Sequence, residues 1–328
     1  MSRQFVYRLA ALIVAALLLP LFLSPSYATL WVLVGLTTLV VLGLTLLLGY
    51  TGQPSLGQGA FYGIGAYAVA IGTTTYHLPF LVAAFLGCII SLAAAGLIGL
   101  VIFRLRDHFL ALATLSIGYV IYAIMAQSSL THGAVGISGI PALAIFGMQI
   151  TDPGDYSYIV WGVVVIALIL SDAAARGPGG YVMRAIGQDE AAAQSLGINP
   201  LRHKVSVFMF AALLGAIAGS LYAPFMSYVS ADAFTIWVSI QVLVMAVLGG
   251  LGDIFGAVLG ALVLSVLNQG MSDLSSSLVA IPAPVMENVV YGFLLIAVVV
   301  WRPRGFLSSW TSRSRPREAH VVAEENEA

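Results

Sequence analysis

Leu9-Ala10-Ala11-Leu12-Ile13-Val14 opens a run that closes at Leu100-Val101-Ile102-Phe103, and the 95 residues from 9 to 103 contain no Asp, Glu, Lys or Arg. No soluble surface can be built from so long a stretch without charge. The rest of the chain agrees. Of 328 residues 60% are hydrophobic and 8% charged, and mean hydropathy is +1.00. Ordinary soluble domains carry about 25% charged residues. This composition excludes a soluble enzyme, a nucleic-acid binder and a disordered chain. It describes an all-α, polytopic helical membrane protein in a lipid bilayer. The net charge of −1 gives no overall steering toward an acidic or basic partner. One cysteine, Cys88, allows no disulfide within the chain and no cysteine-built zinc site.

A span needs about 20 apolar residues. Ten candidates satisfy or approach that: 7–23, 28–48, 59–75, 80–103, 108–128, 157–175, 205–228, 235–249, 254–271 and 286–301. The third, eighth and tenth are short or glycine-rich and read as half-helices or incomplete crossings, so eight to ten transmembrane helices are expected. Lys and Arg collect in cytoplasmic loops. With ten spans and an inner N-terminus, all 13 basic residues fall inside: Arg3 and Arg8; Arg104 and Arg106; Arg176, Arg184, Arg202 and Lys204; and the arginines from Arg302 onward. Asp152, Asp155, Asp232 and Asp273 fall outside, with Glu287 at a span edge. The expectation is a multi-pass protein of the cell inner (plasma) membrane with both termini cytoplasmic. The first span has a second reading, since Ser26-Tyr27-Ala28 after a basic, apolar start resembles a signal-peptide cleavage site.

Residues 1–301 therefore read as one membrane domain with an inner loop at 176–204, and 302–328 as a polar cytoplasmic tail. An outer segment, 129–156, carries Thr131-His132-Gly133, where a solvated loop histidine is the default. A faint echo links Leu48-Gly49-Tyr50-Thr51-Gly52-Gln53 to Leu248-Gly249-Gly250-Leu251-Gly252-Asp253. Transporters often carry repeats, but six positions of common residues are no more than chance supplies.

Several chemistries have no residues to carry them. The single lysine, Lys204, follows His203, so no Gly-Lys-Ser/Thr phosphate loop exists. The five histidines are scattered, and no nucleophile–base pair or metal cluster can be assembled from the sequence. Charged groups sit at span ends rather than inside, unlike an ion-driven relay. No enzyme activity, cofactor, metal or nucleic acid is expected. A sodium site of carbonyls and hydroxyls stays open.

Three segments carry information. Gly49-Tyr50-Thr51-Gly52-Gln53-Pro54-Ser55-Leu56-Gly57-Gln58-Gly59 breaks any helix with four glycines and a proline. Its Thr51, Gln53, Ser55 and Gln58 are neutral hydrogen-bonding groups. Broken backbone at membrane depth belongs where protein buries it or a watery path passes. The segment reads as a pathway or gate for a polar solute, against the plainer reading of a cytoplasmic turn. Next, Asp189 to Gln194 favours a short helix that Gly197 ends and Pro200 stops. It suits docking in a groove of another protein, or it is a solvated connector; its residues leave both open. Last, Gly215-x-x-x-Gly219 and Gly252-x-x-x-Gly256-x-x-x-Gly260 place glycines on one helix face for close packing, within the subunit or across a dimer.

At these residues the chain resembles the branched-chain amino acid ABC transporter permeases, the larger M-type of the two permease subunits, over roughly residues 30–307 by motif placement. Gly52, Ser55, Leu56, Gly57 and Phe61 keep that family's Gly-x-x-Ser-Leu-Gly-x-x-x-Phe pattern, and Gly59 to Tyr67 continue it. Glu190-Ala191-Ala192 and Gly197 resemble the Glu-Ala-Ala…Gly motif of ABC importer permeases. Val247 to Gly252 and Trp301-Arg302-Pro303-Arg304-Gly305 also match. The resemblance implies a permease of type II-like architecture. It implies a second homologous permease subunit, two cytoplasmic ABC ATPases and an extracytoplasmic solute-binding protein as partners. It makes Arg184, Asp189, Glu190, Ala191, Ala192 and Gly197 the ATPase-coupling segment. Gly52, Gln53, Ser55, Gly57, Gln58 and Tyr62 are the candidate pathway residues. Branched-chain amino acids are the implied substrate, with urea, amides and aromatic acids served by the same architecture. Two departures stand out: Pro54 replaces an apolar residue, and His132 enters the outer loop where relatives have a Thr-Gly-Gly type start.

Overall fold

The computed structural model describes residues 3–105, 107–145, 148–277 and 292. The tenth candidate span apart from Gly292, the polar tail, Arg106, Glu287 and the 301–305 motif lie outside these residues. The described residues form eleven α-helices: α1 (Arg3–Phe22), α2 (Pro25–Thr51), α3 (Gln58–Thr74), α4 (Phe80–Ile102), α5 (Asp107–Gln127), α6 (Pro153–Arg176), α7 (Pro178–Gln188), α8 (Glu190–Ser195), α9 (Pro200–Met226), α10 (Ile236–Gly249) and α11 (Ile254–Ser277). Four short strands complete them: β1 (Ile137–Ser138), β2 (Leu143–Ile145), β3 (Met148–Ile150) and β4 (Tyr228–Val229).

The helix starts follow local chemistry. Proline occupies the first turn of α2, α6, α7 and α9. There its fixed φ fits and its missing N–H is not needed. Asp152 caps α6 by accepting from the Gly154 and Asp155 amides, and Asn199 caps α9 by accepting from Arg202. Among the described residues, eight helical segments are long and apolar enough to cross a membrane. They correspond to every candidate span before the tenth except the third. That one is α3, only 17 residues long and largely buried inside the bundle. The Ser26-Tyr27-Ala28 site lies within the first turns of α2.

The centre is α2, with α9 beside it and α3, α4, α6, α10 and α11 packed around the two. In lipid, apolar side chains gain little from leaving their surroundings, so helices associate through close packing and small residues. The glycines show it. A Cβ on Gly43 of α2 would lie 2.9 Å from the Ala211 Cα of α9. One on Gly65 of α3 would overlap the Ala216 carbonyl of α9, and one on Gly219 would overlap the Tyr62 carbonyl of α3. Polar bonds add to this: Ser91 donates to the Ala212 carbonyl at 3.1 Å and Tyr156 to the Leu221 carbonyl at 2.6 Å. Trp31 of α2 stacks on Trp161 of α6 with centroids 4.2 Å apart, and Trp161 Nε1 donates to the Trp31 carbonyl. By contrast α4 and α5 turn rows of Leu, Ile, Val and Phe outward.

The glycine stripes act within the subunit. Gly256 and Gly260 of α11 pack on Gly249 and Met245 of α10. Gly252 departs from expectation. It lies before α11 in a turn at φ +90°, and it meets Gly49 instead of sharing the α11 face. Its sequence spacing is helical, but Asp253 accepts from the Phe255 amide and starts the helix after it.

The ion pairs of the described residues gather at one end of the bundle. There Arg8 pairs with Asp253 at 3.1 Å and Arg176 with Asp172 at 2.6 Å. The opposite end holds the outer segment, where β1 pairs antiparallel with β4 and β2 with β3. His132 is exposed there in the left-handed region, at φ 58°.

Candidate functional site: a broken helix and its base

α2 stops at Thr51 because Gly52 turns left-handed, at φ 68°, with its N–H still bonded to the Leu48 carbonyl. The chain then runs without regular structure from 52 to 57 before α3 begins. This break is inside the protein. Leu56 N–H donates to Thr114 Oγ1 at 3.1 Å, and Gly57 packs against the Thr114 carbonyl. Thr114 is seven residues into α5, so α3 starts about 10 Å above the start of α5. The break therefore packs alongside the body of α5 rather than at its first residue.

The backbone groups freed by the break find partners. Gln53 Nε2 donates to the Thr51 carbonyl at 3.3 Å, Gly57 N–H to Ser55 Oγ at 3.4 Å, and Gly59 N–H to Ser239 Oγ at 2.9 Å. Gln53, Ser55, Gly57, Gln58 and Tyr62 are buried, and Gly52 is exposed. Tyr62 sits edge-on to Tyr222 and Phe234, at 5.4 and 5.1 Å between centroids. Next to it Gly57, Ala60, Phe61, Thr114, Gly118 and Phe208 border a small apolar crevice. Of the candidate pathway residues, Tyr62 is the one packed against aromatic rings.

The inner loop folds into two helices. α7 was hidden in the sequence by Pro178, Gly179 and Gly180 at its start. Asp189 caps α8, accepting from the Ala192 amide at 3.0 Å. Gly197 ends α8 at φ +81°. Its N–H donates to Gln194 and that of Ile198 to Ala193, the paired bonds of a left-handed helix stop. Ala191 and Ala192 are exposed, as is Leu196, and Ala193 packs inward. α8 therefore offers a small, smooth outer face bounded by Asp189 and Gly197.

Two contacts tie this loop to the bundle. Glu190 Oε2 is 2.6 Å from Lys204 Nζ, the buried lysine four residues after the start of α9. Gly187, at the end of α7, lies against the end of α2: a Cβ there would stand 2.7 Å from the Tyr50 carbonyl and 3.3 Å from the Thr51 carbonyl carbon. Arg184 stacks its guanidinium over Tyr50 and Tyr181 at 5.5 and 4.8 Å. Tyr50 OH in turn donates to the Gly252 carbonyl. Of the expected coupling residues, Arg184 reaches Tyr50, and Gly187 nearby packs on Tyr50 and Thr51, just before the expected pathway segment. Lys204, Gly187, Thr114 and Ser239 were not singled out from sequence. Lys204 alone had a signal, as the chain's one lysine.

Among the described residues no group of three His, Cys, Asp or Glu side chains could hold a metal ion. A family model described as branched-chain amino acid transport system / permease component matches residues 26–299. The high-affinity branched-chain amino acid transport system permease protein LivM of Salmonella typhimurium is 31% identical, over 91% of this chain and 74% of that protein. The corresponding LivH protein of Salmonella typhimurium is 29% identical over 82% of this chain and 90% of its own length. A probable branched-chain amino acid transport permease protein LivM of Methanocaldococcus jannaschii is 24% identical over 83% of this chain and 90% of its length. No solved structure matches.

Proposed function

Because the chain belongs to the branched-chain amino acid transport system / permease component family, we propose that it is the M-type membrane subunit of an ATP-driven importer of branched-chain amino acids. Similarity to both LivM and LivH proteins supports a second, homologous permease as its partner. Two cytoplasmic ATPases supply the energy, since this chain holds no phosphate loop. An extracytoplasmic binding protein delivers substrate to the end bearing 129–156. The protein lies in the inner membrane with its charged end, and both termini, in the cytoplasm. All the basic residues fall on that side under the positive-inside rule.

The observation that carries the mechanism is the placement of Gly187 on the end of α2. α8 is the surface an ATPase grips. Movement of the ATPases pulls on α8, which the Glu190–Lys204 pair ties to α9, while α7 presses on Tyr50, Thr51 and Gly52 through Gly187. The break at 52–57 then opens or closes between two discrete packings, the basis of alternating access. Purification of the tagged subunit from its native membrane in mild detergent, with mass spectrometry, tests this assembly. Two ATPases and a second permease at near-equal amounts are expected. A subunit that runs alone, in vesicles that move solute without ATP, contradicts it.

A further inference from the structure

The break at 52–57 has a counterpart on the other side of the bundle. α3 has 17 residues and α10 has 14; α3 begins among buried residues, and α10 begins with Thr235 and Ile236 half-buried and Ser239 buried. Their first turns lie side by side. Gly59 N–H donates to Ser239 Oγ, and a Cβ on Gly59 would stand 3.3 Å from the Thr235 carbonyl and 3.5 Å from that of Phe234. From this meeting point α3 runs toward the outer segment. α10 runs the other way, to Gly249, three residues before Gly252, which packs on Gly49. Ser239 is ten residues from the end of α10, so the meeting lies about 15 Å along the helix from that end.

Each helix N-terminus carries about half a positive elementary charge. Two such ends side by side repel, and the effect is strongest away from water. Neither helix has a side-chain cap. Asp232, three residues ahead of the α10 cap position, is exposed and takes the Tyr122 hydroxyl of α5. Gln58, the first residue of α3, is 0% exposed, and neither its Oε1 nor its Nε2 has a hydrogen-bond partner among the described residues. A buried, unpartnered amide is costly. Leu in its place would remove that cost. Ser239 Oγ accepts from Gly59 and keeps its own proton to donate.

We propose that the abutting first turns of α3 and α10, with Gln58 and Ser239, form a transient seat for the carboxylate of the amino acid in transit. This rests on the permease reading above and sharpens it: the seat suits a carboxylate-bearing zwitterion and not urea or a neutral amide. The positive ends attract the carboxylate, Gln58 Nε2 and Ser239 Oγ donate to it, and Tyr62, one turn along α3 from Gln58, starts the aromatic wall formed with Tyr222 and Phe234. The seat is closed in this conformation and becomes accessible when the two turns part.

The test compares Gln58→Glu and Gln58→Leu in the assembled importer complex. Gln58→Glu puts a carboxylate where the proposal places the substrate's. It is expected to assemble, to unfold at or above the wild-type temperature, and to lose ATP-driven L-leucine uptake at least tenfold. Gln58→Leu removes the unpartnered amide. It is expected to keep or raise the unfolding temperature while uptake again falls at least tenfold. In the purified wild-type complex without binding protein, millimolar L-leucine is expected to raise the unfolding temperature and L-leucinol, which lacks the carboxylate, to leave it unchanged. The seat is overturned if Gln58→Glu fails to assemble, if Gln58→Leu imports within twofold of wild type, or if leucinol stabilises as well as leucine. A wild-type complex that takes up no leucine with ATP overturns the permease reading instead, and the stability of the two variants judges the seat separately.

Discussion

Lys204 Nζ stands 2.6 Å from Glu190 Oε2, and the two partners are unequally exposed: 5% for the lysine side chain and 42% for the glutamate. The inequality decides what each substitution does. Without Glu190 the ammonium of Lys204 is left buried and unpaired near the start of α9. Without Lys204 the carboxylate still reaches water. Glu190→Met is therefore expected to cost about 1–3 kcal/mol and Lys204→Met about 1 kcal/mol or less. Thermal unfolding of the purified variants measures the order, and equal losses would remove the pair from the account.

Gly187 separates binding of the ATPase from transmission of its movement. Its missing Cβ faces the Tyr50 carbonyl of α2. Gly187→Val is expected to force α7 off α2. Uptake should fall at least tenfold while the ATPases still co-purify in wild-type amounts. Joint loss of both would mean that α7 and α8 act as a single docking surface.

Gly197 poses a purely conformational question. Its φ is +81°, and nothing stands within 4 Å of the position a Cβ would take. Gly197→Ala is expected to cost about 1 kcal/mol through backbone strain alone. Gly197→Asn should cost less and Gly197→Val more. Co-purification of the ATPases across this series measures how well α8 keeps its shape.

The packing glycines divide in the same way. A Cβ on Gly219 would overlap the Tyr62 carbonyl, whereas one on Gly162 of α6 meets nothing within 4 Å. Gly219→Ala is expected to abolish stable expression. Gly162→Ala should be neutral or stabilising, by up to about 1 kcal/mol, because alanine is the better helix former. Fluorescence-detected size-exclusion chromatography of the two variants checks the contrast.

Much of this was legible in the sequence because lipid imposes strict terms. A charge-free run of 95 residues admits few structures, and glycine with proline at 49–59 marks a break wherever it falls. The eighth span, 235–249, read from the sequence as a half-helix or incomplete crossing, forms the 14-residue α10, and with the turn before it the segment 231–249 is long and apolar enough to cross a membrane. What stayed hidden depends on contacts across the chain. The echo between 48–53 and 248–253 gave no ground for preferring it to chance, yet the two segments pack directly, Gly49 on Gly252 with Tyr50 OH on the Gly252 carbonyl. Gly252 looked helical because its spacing to Gly256 and Gly260 is four residues; the positive φ that puts it in a turn leaves no mark on spacing. Ser239 meets Gly59 across 180 residues, a distance no local pattern spans.

ATP-driven uptake of radiolabelled leucine tests the central claim most directly. The subunit is reconstituted in proteoliposomes with its partner permease, ATPases and binding protein. Uptake is expected to require ATP, to be unaffected by collapse of ion gradients, and to disappear with Gly187→Val. Uptake that proceeds without ATP, or that follows an ion gradient and survives Gly187→Val, would contradict the account.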